Sequence, residues 1–227
     1  MNSLSLIAGL RFVDSFFPSG GYAFSSGLEA AVQSGAVRDA RDLSRHVEDW
    51  LRHGIGRCDA VAAARVHQAA ADDDLSSVLH IDRALESMKL CRETRLASRQ
   101  MGRQVVRVAA GQWPGSTLLA AFCDAIESSR TPGHLAVSLA LTLQACGWQK
   151  RETVAAYLYQ SAVGMVSAAL KLLPIGQREA QDLLAEWLPL IDELSGAVGS
   201  AELTSWTPIQ DIYAMKHTRL TSRLFRS

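Results

Sequence analysis

The side chains that could do chemistry are thinly spread in this sequence. The six histidines are His46, His53, His67, His80, His134 and His217. His46 and His53 share a helical face, but two turns set them roughly 10 Å apart, too far for one metal ion. No pair stands at HxxxH or HExxH spacing, and only His217, beside Met215, is left open as a transient ligand. The cysteines Cys58, Cys91, Cys123 and Cys146 stand apart in apolar helical settings with no CxxC pair, which predicts reduced packing residues. Asp72, Asp73 and Asp74 put three carboxylates together, but no loop of calcium-ligand spacing follows, so they read as a solvated helix end that caps the helix starting at Leu75. The stretch Pro18 to Gly27 is rich in glycine and serine but has no lysine, so it does not match a phosphate cradle. GxSxG is absent. No catalytic group, metal centre or cofactor is expected.

Stepping out to the elements, the chain of 227 residues has zero formal net charge and lacks strictly alternating β-branched runs. It predicts an all-α single domain spanning 1–227, a bundle of about ten helices around a central apolar helix. That central helix is expected within Glu152 to Gln177, where Val154 to Leu173 is apolar nearly all round. Such a helix is one that others surround. Twenty mostly apolar residues also invite a membrane reading, but Gln160, Ser161, Ser167 and Lys171 argue against it. The N-terminal MNSLSLIAGLRF has no basic region before its apolar residues, so it does not read as a signal peptide. Further expectations are N-caps at Ser25 or Ser26, at Asp39 and at Thr131 with Pro132 behind it, and a kink at Pro189.

Three surfaces stand out. Gln160, Gly164, Ser167 and Lys171 fall on one narrow line of the central helix. Either another backbone approaches there, with Lys171 reaching out at the end, or Lys171 belongs to a binding surface. Lys89, Arg92, Arg95, Arg99, Arg103 and Arg107 step by three or four as a basic ridge, either a solvated face or a docking ridge for an acidic partner. Nucleic acid fits poorly, because no aromatics interleave the ridge and the chain is neutral overall. The end, 207–227, carries Leu220, Leu224 and Phe225 among Lys216, Arg219, Arg223 and Arg226. Apolar residues on a terminal segment imply docking, on the domain itself or on a partner that orders it.

Four stretches in order resemble the UreF family of urease accessory proteins: FFPSGGYAFSSGLEAAVQSGAV (Phe16 to Val37), RETRLASRQMGRQVVRV (Arg92 to Val108), LKLLPIGQREAQ (Leu170 to Gln181) and the terminal DIYAMKHTRLTSRLFRS. The resemblance implies an all-helical, dimerising, cytoplasmic maturation factor with no activity of its own. It would join UreD (UreH) and recruit or regulate the GTPase UreG for nickel insertion into apo-urease. It implies partner-binding roles for Tyr22, Glu29, Lys171, Gln177, His217, Arg223, Leu224, Phe225 and Arg226, with Pro18, Gly20 and Gly21 shaping the loop. Glu29 and Lys171 match positions near the UreG-facing surface, and Tyr22 and Arg223 match a loop–tail pair. Whether Glu29 touches UreG or steadies its own helix start stays open. Met215-Lys216-His217-Thr218 lacks the acid that often follows the histidine, and Phe24 stands where tyrosine is common. The rival reading is a small helical enzyme with Tyr22, Glu29 and Lys171 converging on one pocket.

Overall fold

The computed structural model describes residues 2–199 and 201–226; Ser227, the last residue of the expected docking tail, lies outside them. Among the described residues the chain forms eleven α-helices and no strand. In order they are α1 (Ser3–Val13), α2 (Leu28–Gln33), α3 (Ala40–Asp49), α4 (Asp59–Ala71), α5 (Leu75–Met88), α6 (Arg92–Gln112), α7 (Thr117–Glu127), α8 (Leu135–Ala145), α9 (Lys150–Leu172), α10 (Gln177–Ala197) and α11 (Pro208–His217). A 3-10 turn at Gly21–Ala23 precedes α2, and a π-helical segment, Trp50–Ile55, extends α3. The all-α expectation holds.

Several helix starts follow directly from local chemistry. Asp39, Asp74 and Ser116 each accept a bond from a backbone N–H of the first turn, satisfying donors that have no intrahelical partner. Two starts differ from expectation. At α2 the cap position is Gly27, in the left-handed region, and Ser25 Oγ reaches forward to accept from Glu29 N at 3.4 Å. At α8 the helix begins at Leu135, after the expected Thr131–Pro132. The acceptor there comes from another helix. Asp82 of α5 accepts from Thr131 Oγ1 (2.7 Å), Gly133 N (2.7 Å) and His134 N (2.9 Å), because His134 has no oxygen of its own to offer.

The core lies around α8. Ala136 to Leu143 are buried without interruption, and the helix packs chiefly against α6 and α4. None of its eleven residues is charged, so no side is driven to solvent. The alanine-rich α4 presents small side chains to it. Close approach is visible at Gly102 of α6, where a Cβ would meet Gly133 O at 2.3 Å. α9, expected at the centre, packs on α10, α4 and α8 but leaves Gly164, Ser167 and Lys171 exposed on one line. Among the described residues it is the one helix long and apolar enough to cross a membrane, and half of its most apolar window is buried inside the fold. Along its polar line Gln160 Nε2 donates to the backbone carbonyl of Phe12 at 3.4 Å, whereas among the described residues nothing lies within 4 Å of a Cβ built on Gly164. α10 continues through Pro189, which faces solvent.

Candidate functional site

The stretch between α1 and α2 turns on glycines. Gly20 sits at φ 82 and leads into the 3-10 turn, placing Tyr22 outward with 74% of its surface exposed. Gly27, at φ 87, lies directly beneath α11: a Cβ there would come within 2.8 Å of Ala214 N. Glycine is therefore needed at that position for both its backbone angle and its missing side chain. α11 on this footing brings the chain end back onto α2.

Glu29, in the first turn of α2, is 1% exposed and faces the returning chain. Its Oε2 accepts from His217 Nε2 (2.7 Å) and Phe225 N (3.2 Å), and its Oε1 accepts from Leu224 N (2.7 Å). The acid facing His217 thus comes from α2, 188 residues away, in place of the one missing from the tail. His217 is fully buried, and its Nδ1 has no hydrogen-bond partner among the described residues. Two neutral bonds flank the carboxylate: Arg226 N donates to Ala23 O at 2.8 Å, and Gln33 Nε2 donates to Ser222 O at 3.1 Å. The Phe225 ring is buried, with Lys171 Nζ 5.2 Å from its centroid. Hydrogen bonds to charged acceptors are worth about 1.5–3 kcal/mol each, so this carboxylate is a principal fastener of the tail.

Of the residues expected at a site, Glu29, His217, Phe225 and Lys171 come together in this clamp. Leu224 contributes its N–H and turns its side chain out, while Arg223 and Arg226 are exposed. Pro18 is exposed, and Gln177 opens α10, also exposed. Tyr22, Glu29 and Lys171 do not converge on one pocket: the first points to solvent, the second is sealed under the tail, and the third lies over Phe225.

A cavity of about 190 Å³ lies beside the clamp, roofed in part by Gln210, Asp211 and Ala214 of α11. Gly21, Gln160 and Gly164 also line it. Its floor carries a buried ion pair: Lys89 Nζ donates to both oxygens of Asp59 at 2.7 and 2.8 Å, and Tyr157 OH donates to Asp59 Oδ1 at 2.8 Å. Burial works against the Lys89 ammonium, but the Asp59 carboxylate and the bonds to it outweigh burial and hold the lysine above its ordinary value. Burial, then Asp59, pushes the Tyr157 hydroxyl well up. The same two causes in the same order push the Cys58 thiol to about 12. Protons are locked on all three groups at neutral pH, and a thiol held that high is a poor nucleophile. Among the described residues no three His, Cys, Asp or Glu side chains group as a metal site.

Four residues of the basic ridge bond other parts of the fold, while Arg92, Arg103 and Arg107 remain exposed. Lys89 is the floor of the cavity. Arg95 donates to the Lys89 and Leu90 carbonyls, Arg99 pairs with Glu86, and Arg103 Nε donates to Pro132 O at 2.9 Å. Glu86 also faces His134 Nε2 at 2.8 Å, and His134 Nδ1 lies 3.1 Å from Ser98 Oγ. These side chains staple α5, α6 and the turn before α8. Asp59, Tyr157 and Asp82 escaped the sequence reading: each has one unremarkable neighbour in the chain, and each finds its partners far along it.

This arrangement has known relatives. A family model described as UreF matches residues 37–188. The chain is 32% identical over 226 residues to a urease accessory protein UreF from Actinobacillus pleuropneumoniae serotype 5b, covering 96% of this chain and 97% of that one. It is 30% identical over 228 residues to a urease accessory protein UreF from Yersinia enterocolitica, covering 99% of each. The chain belongs to the UreF family. As an accessory protein of urease, a UreF protein serves the maturation of another enzyme. Family membership also implies interactions with other urease maturation factors.

Proposed function

We propose that this UreF-family chain is a cytoplasmic urease maturation chaperone that binds UreD (UreH) through its C-terminal region and recruits or regulates UreG for nickel insertion into apo-urease. It makes and breaks no bonds of its own. The observation that carries this reading is the apolar face left open beside the clamp. Ile209, Ile212 and Met215 of α11, at steps of three, are exposed together with Trp206 and Leu224. Exposed apolar residues in a row at helical spacing are what a partner groove accepts. The exposed line on α9, with Lys171 at its end, gives a second surface suited to UreG or to a second copy of the chain. Differential affinity for one nucleotide state of UreG would couple hydrolysis to release of the metal cargo.

Co-expression with UreD and UreG followed by size-exclusion chromatography tests the assembly. A chain shortened before Thr218 keeps its helical content by circular dichroism and no longer co-elutes with UreD. Unchanged co-elution would remove the tail from the interface.

A further inference from the structure

We propose that Glu29 is a positioning residue: it sets the C-terminal segment in its docked form, and its effect on assembly runs through that segment without contact to a partner protein. The inference rests on the reading of the α11–tail region as the UreD-binding surface.

The geometry argues for an indirect role. Glu29 is 1% exposed, and both carboxylate oxygens are already engaged by donors of the same chain. Those donors belong to two separate pieces, the end of α11 at His217 and the bend at Leu224 and Phe225 in the tail. One carboxylate therefore fixes the path between them. With the amides of Leu224 and Phe225 held at Glu29, Phe225 is buried and Leu224 is left exposed, as are Ile212 and Met215 of α11. The carboxylate thus decides which apolar groups the surface presents. A partner side chain could reach Glu29 only after the tail had left, and with it the surface the partner is proposed to bind.

The test uses Glu29→Gln in the full chain, which keeps the shape but places an amide NH2 among donors. Expected are amide hydrogen exchange at Leu224 and Phe225 faster by about tenfold or more, unchanged exchange in α8, and UreD affinity reduced toward that of the chain shortened before Thr218. Linking Gln33→Cys to Ser222→Cys in the Glu29→Gln background with a flexible bis-thiol cross-linker then restores UreD affinity, because the link does the holding; Gln33 Nε2 already donates to Ser222 O. If the linked chain stays weak although its tail amides are again protected, Glu29 is a contact residue and the inference fails. It fails equally if the two amides stay protected in Glu29→Gln. If the shortened chain itself binds UreD normally, the docking reading falls, while faster exchange in Glu29→Gln would still show the hold on the tail. Should Glu29→Gln not fold, His217→Leu removes one donor and must accelerate exchange at the same amides; no acceleration overturns the proposal.

Discussion

Lys171 touches the tail through its charge. Its ammonium lies 5.2 Å from the centre of the Phe225 ring, at the exposed end of the polar line on α9. A cation over an aromatic face contributes about 0.5–1 kcal/mol at an exposed site. Lys171→Ala should therefore fold normally, loosen the tail by about that amount in hydrogen exchange, and impair urease activation in cells carrying the other maturation factors. Normal activation would remove Lys171 from the working surface. Residues of this kind were partly legible in the sequence. Glu29, His217 and Lys171 each drew notice, as an acid in a helix's first turn, a histidine without a local acid and a lysine on an apolar helix. That the first two face each other could not be read, since 188 residues separate them and no local periodicity encodes the meeting. Asp59 and Tyr157 were less legible still, because each looks ordinary within its own helix, and Lys89 was read only as part of the ridge.

Among the elements, number and type followed from apolar periodicity, whereas which helix is innermost did not. α9 is longer and draws the eye, yet its single polar line is enough to bring one side to the surface, and the shorter, uncharged α8 is enclosed. The helices are joined by buried histidines whose protonation is disfavoured. Burial lowers His46, His67 and His134 below the ordinary value of 6.5. As pH falls through 6.5, the unfolded chain takes up protons at these positions while the folded chain does not, so the folded state loses stability. At neutral pH both states hold the rings neutral and the penalty vanishes. Urea unfolding at pH 7.5 and pH 5.5 should show a loss on the order of 1–2 kcal/mol at the lower pH, with a shallower dependence in His67→Gln. A stability that is flat or rises on acidification would contradict the buried neutral rings.

For the whole molecule, α11 is both the footing of the tail and part of the roof over the Asp59–Lys89 pair. The two roles meet at Gly27, where the backbones of α2 and α11 leave no space for a Cβ. Gly27→Ala should push α11 away and destabilise by about 1–3 kcal/mol, from crowding and the strained positive φ. Native-state alkylation of Cys58, which lines the cavity, should then accelerate relative to half-exposed Cys123. Equal rates in both chains would show that α11 does not guard the cavity. The clamp has a further consequence for the order in which the molecule assembles. Glu29 and Phe225 lie 196 positions apart, so closing them demands that the helices between already hold both ends near one another. The seam is thereby the last to zip and, on unfolding, the natural first to part, leaving the interior helices intact. A contact that comes and goes without disturbing the scaffold is one that other polypeptides can trade against at small cost.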